Sequence, residues 1–448
     1  MKAVIHIGSA KTGTTTIQHF LDKNRESLKK QMIFVPPGFS AVFPAHHKLG
    51  VATYLPDAWE SWPIFSFLGH LHYNTFVRKD FPSIEKNLSP KDQEKLWVGY
   101  RNEIEANCRQ DDLVIFSSEM FCLFLENEVE RVKKLMDSLF DDVTIVLYLR
   151  RHPEYLVSAH HSQVTSGKPW NTLDFCNMPA NRSELAYHKT VERWSAFGKD
   201  KLKIRLFDKR EFHDNDLLSD FAHTVGFDMT ELERVENQNE TGLDSAEAEF
   251  LRLLNSHIPV LLDPWTYNPD RYSLPGLFSA YSRKNSVKNK KAYHLTRSEA
   301  RQILDQCREG NDWIAREYLG REKLFDEDVS MYPEEVDSPH GLTLEKCAEI
   351  TAHLWKDRCG VIRQLQQEKD VCAAEIHQLQ QEKDAHAAEI QRLQDDFLLQ
   401  NNKYIYWQYY RCKLLAKLTF GKKRKHYKAK RNLFHDQVRR IRNLRKLK

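Results

Sequence analysis

Side chains able to do chemistry crowd into residues 4–21, VIHIGSAKTGTTTIQHFL. A short apolar run, Val4 to Ile7, leads into Gly8, Lys11, Gly13 and a train of threonines, then into Ile17, Phe20 and Leu21 at helical spacing. The order predicts strand, tight loop, helix. Such a loop aims backbone N–H groups and the positive end of a helix at an anion. Glycines let the backbone wrap closely, threonine hydroxyls add donors, and a lysine supplies a compact positive charge. The nucleotide-kinase pattern G-x-x-x-x-G-K-[ST] requires lysine directly after the second glycine. Here that position is Thr14, and Lys11 stands two residues before Gly13. An ordinary strand–turn–helix corner is the plain alternative.

The loop resembles the 5′-phosphosulfate loop of the sulfotransferase family, P-K-[ST]-G-[ST]-[ST], with Ala10 where many members carry proline. The resemblance implies 3′-phosphoadenosine 5′-phosphosulfate (PAPS) as sulfuryl donor, gripped by Lys11, Thr12, Gly13, Thr14 and Thr15, with no metal. Lys11 then serves the oxygen between phosphate and sulfur. A second stretch, YLRRHPEYLVSAHHS, follows the apolar run 143–149. The family spacing, an arginine at a strand end and a serine eight residues later, falls on Arg150 and Ser158 as holders of the donor's 3′-phosphate. The chemistry agrees: arginine offers phosphate a planar fork, and Pro153 suits a first helical turn. Arg151 replaces the small acidic or polar residue common there and is the weaker ligand. The resemblance covers about residues 1–330, with no matched motif in 50–110 or 170–320.

Sulfuryl transfer needs a base for the acceptor hydroxyl. Glu119, in IFSSEMF, stands at a predicted strand end, where the family places a similar acid; it is also a plausible helix-start carboxylate. His46 and His47, in FPAHHKLG, compete, because imidazole suits base chemistry near neutral pH. His70 and His72, in GHLHY, have no carboxylate or cysteine cluster with which to hold a metal. The aromatic segment 54–76 lies where the family builds its acceptor cleft, and equally suits core packing.

The elements that must position these residues follow from the apolar runs AVIHI, DLVIFSS, VTIVLYL and KLKIRLF, alternating with amphipathic stretches such as ENEVERVKKLMDSLF. That alternation predicts an α/β fold: a P-loop-like parallel sheet flanked by helices. The chain has 448 residues, 41% hydrophobic, enough for a large core. It has no apolar run long enough to span a membrane. Its first strand begins at Ala3, so no leader is expected. Eight scattered cysteines without a C-x-x-C pair argue against zinc and a secreted disulfide frame, and for a reducing cytoplasm.

Residues 329–342, VSMYPEEVDSPHGL, read as a linker, giving a sulfotransferase domain at 1–330 and a linker with the start of a helix at 331–357. LQQEKDVCAAEIHQ (365–378) then repeats as LQQEKDAHAAEIQR (379–392), two heptads each. Ile362, Ile376 and Ile390 share one heptad position; Leu365, Leu379 and Leu393 share the one three later. A coiled coil is expected over 358–400, and with it a homo-oligomer. From Lys403 onward 17 bases face one acid, Asp436, a charge of +16. The total of +4 leaves −12 for the 402 preceding residues. This basic aromatic tail, 401–448, is expected to be helical and to lie on an anionic membrane, peripheral at the inner face. By family analogy the acceptor is a glycan hydroxyl of a bacterial surface polysaccharide or its lipid-linked precursor. The alternatives are a degenerate nucleotide kinase and a non-catalytic coiled-coil scaffold or nucleic-acid binder.

Overall fold

The computed structural model describes residues 1–38, 44–53, 90–177, 185–235, 243–263, 266–268, 271, 274–285, 295–335 and 341–447. His70, His72 and the aromatic segment 54–76 lie outside them. Two compact units divide at His353 and Leu354.

The first unit is built on five strands: β1 (Lys2–His6), β2 (Ile33–Phe34), β3 (Leu113–Ser117), β4 (Asp142–Leu149) and β5 (Leu202–Leu206). They lie in the order β2-β3-β1-β4-β5, every pairing parallel, with Val4 opposite Ile115 on one side and Thr144 on the other. Helices cover both faces. They include α1 (Thr14–Lys23), α2 (His47–Thr53), α3 (Pro90–Asn107), α4 (Glu126–Asp137), α5 (His152–Thr165), α6 (Tyr187–Trp194), α7 (Leu217–Val225) and α8 (Arg297–Leu319).

Strand alternation sends successive side chains to opposite layers. Ala3, Ile5, Val114, Phe116, Ile145 and Leu147 pack with α3, α4, α6 and α8. Val4, Ile115, Val146 and Tyr148 pack on the other face against Ile17, Phe20 and Leu21 of α1 and Phe221 of α7. The apolar stripe of α1 is fully buried. Each such side chain contributes about 1.5–3 kcal/mol, which anchors the helix that follows the loop.

The stretch 329–335 is no free linker. Val329 and Tyr332 are buried with Tyr155 and Leu156 of α5, and Tyr332 Oη donates to Glu154 Oε1 at 3.0 Å. Pro333 marks irregular backbone there, but its carbonyl accepts from Arg297 N–H at 2.7 Å.

The second unit holds most of α9 (Leu344–Gln400), then α10 (Asn402–Leu418) and α11 (Gly421–Leu447). The tail is helical, folded as a hairpin whose small core joins Leu398, Ile405, Val438 and Ile441. Tyr406 and Tyr409 pack against that core, while Tyr404, Trp407, Leu414, Leu418 and Phe420 stay exposed.

Candidate functional site

The carboxyl ends of parallel strands are where an α/β sheet leaves space for a ligand. Three such ends carry the residues singled out above. β1 runs into the loop 7–13, β3 into Ser118 and Glu119, and β4 into Arg150. The loop stays tied to the sheet: Ser9 N–H donates to Tyr148 O at 2.9 Å, and Tyr148 N–H to Gly8 O at 2.7 Å.

Both glycines are required by geometry. Gly13 precedes α1 at φ 75°, and a Cβ there would stand 2.3 Å from Leu217 Cδ2. Gly8, at φ 100°, lies so close to Glu119 that a Cβ would meet its Cα at 3.1 Å. Lys11 also has left-handed backbone, φ 62°, which strains a residue with a Cβ. Thr12 is fully buried and its hydroxyl donates to Ser9 O at 2.6 Å, so that side chain closes the loop. The first helical bond runs from Ile17 N–H to Gly13 O at 3.1 Å. The amides of Thr14 and Thr15 therefore belong to the helix start, where N–H groups face an external acceptor.

Arg150 points into this loop. Its Nη1 donates to Lys11 O at 2.9 Å, and its guanidinium lies 5.4 Å from the Phe207 ring centroid. Lys11 Nζ donates to Ser162 Oγ at 2.5 Å. Thus the recorded contact between α5 and the loop falls one turn beyond Ser158, which is half-buried on the same helix. Arg151 is turned elsewhere: it pairs with Glu154 at 2.5 Å and donates to the carbonyls of Asp326 and Asp328, each at 2.6 Å. Among the described residues neither Lys11 nor Arg150 has an ion pair. Burial holds the Lys11 ammonium below its ordinary pKa; Arg150 adds to the effect and Glu119 opposes it. Two desolvated cations side by side repel each other unless an anion sits between them.

Glu119 opens a short 3₁₀ turn after β3, and its Oε2 accepts from Gln18 Nε2 at 2.9 Å. Burial alone would raise this carboxyl, but His47, the Gln18 donor, its own backbone amide and His6 together hold it below the usual range. Burial keeps His47 below its ordinary value against the pull of Glu119. Ser118 Oγ lies 2.8 Å from His47 Nδ1 and accepts from Met120 N–H at 3.3 Å. The hydroxyl still has both a proton and a second lone pair for Nδ1, so this contact serves either tautomer of His47.

His46 is held by backbone on both sides. Its Nδ1 accepts from Ser117 N–H at 2.9 Å and its Nε2 donates to Pro36 O at 2.9 Å, so both ring nitrogens are committed. Burial takes it to about 4. His6, at the end of β1, is also buried at about 4, with Nδ1 2.8 Å from Ser117 Oγ.

Sequence reasoning missed Ser162, Gln18 and His6. Ser162 was within reach, because it shares the helical face of Ser158 at i+4. Gln18 and His6 are polar residues in apolar elements, a pattern with no chemistry of its own. Of the carboxylates Asp141 and Asp142, the second opens β4 and the first precedes it, at the opposite end from the loop. Asp141 binds the N-terminal ammonium at 2.7 Å and Asp142 binds Lys201 at 2.8 Å. No group of three metal-binding side chains occurs among the described residues.

No family model matches the chain. An uncharacterized protein of Archaeoglobus fulgidus is 25% identical over 237 residues, which is 50% of this chain and 60% of that protein. The chain therefore spans about 60% of the length of that curated relative. Among solved structures, the sulfotransferase domain from the curacin biosynthetic pathway is 13% identical with a TM-score of 0.31, covering 68% of this chain and 96% of that one. The sulfotransferase domain from the Synechococcus PCC 7002 olefin synthase is 11% identical with a TM-score of 0.27, covering 68% and 93%. Likenesses this distant transfer no residue roles.

Proposed function

We propose that the chain is a PAPS-dependent sulfotransferase acting on a glycan hydroxyl. The observation that carries this reading is the pair of part-buried cations, Lys11 and Arg150, joined through the Lys11 carbonyl at the start of α1. A dianionic nucleotide end suits that place, and both glycines supply the positive φ and the close packing on Leu217 and Glu119 that shape the loop. When bound, PAPS supplies the sulfuryl group and a nucleotide leaving group.

Arg150, with Ser158 and Ser162 on α5, holds the 3′-phosphate side. Lys11 and the amides and hydroxyls at Thr14 and Thr15 face the 5′ side, the amides of Thr12 and Gly13 completing the loop. Lys11 neutralises charge gathering on the departing oxygen, a preorganised electrostatic role. Glu119, ionised at neutral pH, takes the acceptor proton. His47, bonded to Ser118 and placed beside Glu119, orients rather than abstracts. The acceptor belongs to a bacterial surface polysaccharide or its lipid-linked precursor, and the basic hairpin holds the enzyme at the inner membrane face.

Adenosine 3′,5′-bisphosphate should raise the melting temperature of the wild-type protein, and adenosine 5′-monophosphate should do so much less. Arg150→Ala should remove most of that difference, since a charged phosphate loses its fork. Lys11→Ala should lower turnover by a factor on the order of 10² or more. Stabilisation by ATP with Mg²⁺ instead would turn the reading to a kinase, and stabilisation by RNA alone to a nucleic-acid binder.

A further inference from the structure

We propose that α9 pairs with α9 of a second copy of this chain as a parallel, in-register, two-stranded coiled coil. Each buried lysine of one helix is neutralised by a glutamate of the other.

The seam is set by the heptads of α9. Ile362, Ile376 and Ile390 occupy a, and Leu365, Leu379 and Leu393 occupy d. All six are between 55 and 63% exposed along an unbroken helix, with Trp355 and Phe397 exposed at either end. β-Branched residues at a with leucine at d favour two strands. The hairpin leaves this seam open. Its α11 packs mainly on the b, c and f positions near the C-terminal end of α9, where Arg440 binds Asp395 at 2.7 Å and a groove lined by Gln391, Arg392, Leu399 and Leu444 reaches Asp396 at g.

Orientation follows from charge. The g positions are Glu368, Glu375, Glu382, Glu389 and Asp396, whereas the e positions are Gln366, Ala373, Gln380, Ala387 and Gln394. An antiparallel pair would set g against g, a ladder of like charge. A parallel pair sets g against neutral e.

Register follows from the polar layers. Lys369 and Lys383 occupy a, and neither has an acid three or four residues away on its own helix. In a parallel in-register pair the hole receiving an a side chain includes the preceding g residue of the other strand. Lys369 then meets Glu368 of the second copy, and Lys383 meets its Glu382. In the isolated chain those two glutamates accept only from Gln364 at 2.9 Å and Gln378 at 3.0 Å among the recorded bonds. Cys372, exposed at d, faces Cys372 of the second copy.

Sedimentation of the full chain at micromolar concentration should give a dimer. Mild oxidation should link it through Cys372, a disulfide absent from Cys372→Ser. Glu368→Lys with Glu382→Lys should weaken the dimer at least about tenfold. Adding Lys369→Glu and Lys383→Glu, which swaps every pair, should restore it. A monomer, a larger oligomer, a dimer without the Cys372 link, or charge reversal without effect would each overturn the proposal.

Discussion

Glu119 and His47 share one buried corner but differ in what each can do with a proton. The Ser118 hydroxyl addresses His47 Nδ1, while Glu119 keeps an anionic carboxylate beside the loop. Glu119→Gln should therefore lower transfer by about 10²–10⁴ and leave stabilisation by the bisphosphate almost unchanged. If His47→Ala does this and Glu119→Gln does not, the roles are reversed. Other histidines report on the fold. His6, His46 and His152 are fully buried and held at about 4, against an ordinary 6.5. A histidine with a depressed folded pKa is neutral when native and takes up protons more readily when unfolded. Its contribution is complete above pH 6.5 and is lost as pH falls towards 4, at about 1.4 kcal/mol per pH unit for each histidine. The urea midpoint should stay level from pH 8 to 7 and fall steeply between 6 and 5. A midpoint unchanged down to pH 5 would contradict the burial of these rings.

At the scale of elements, the loop depends on neighbours remote in sequence. Gly13→Ala places a methyl against Leu217 and forces a left-handed backbone on a residue with a Cβ. It should destabilise the protein by about 1–3 kcal/mol in urea and abolish stabilisation by the bisphosphate. Leu217→Ala in the same chain removes the overlap but not the φ, so recovery should be partial. The strands that carry this loop were legible: β1, β3, β4 and β5 each coincide with an apolar run, and Ile17, Phe20 and Leu21 fall on the buried face of α1. β2 was not, because two residues, Ile33 and Phe34, carry no periodicity. Strand order was hidden for a different reason, since pairings such as Val4 with Ile115 are set by whole-sheet packing. The prolines near residue 333 concealed burial of Val329 and Tyr332 for a related reason: proline reports local backbone, not what a neighbouring side chain packs on. In the site, Lys11, Arg150 and Glu119 were named through a family resemblance, and the structure sets them beyond the carboxyl ends of the adjacent strands β1, β4 and β3. The commitment of both His46 nitrogens could not be read from the sequence, because its partners are backbone atoms of Pro36 and Ser117.

The whole molecule joins a body of −12 to a tail of +16. The tail is a hairpin that withdraws Tyr406 and Tyr409 into its own core and leaves Tyr404, Trp407, Leu414, Leu418 and Phe420 outside. Aromatic rings suit the headgroup boundary, and nearby bases gain about 1 kcal/mol each from anionic lipid. Full-length protein should float with vesicles containing phosphatidylserine, lose much of that binding at high salt, and lose it entirely when cut after residue 400. Equal flotation of the shortened chain would refute the membrane reading, as would tighter binding to RNA.

The tandem units 365–378 and 379–392 give α9 a modular character. Each spans two heptads, so one unit can be gained or lost by duplication or deletion without turning the Ile and Leu stripe to another face. Every such event changes the helix by about 21 Å while Lys369-type layers and their adjoining glutamates recur in step. An insertion of four residues would instead offset the stripe and locally unwind the supercoil. Descendants of this chain can therefore evolve spacers of different length in discrete increments, with pairing specificity inherited intact.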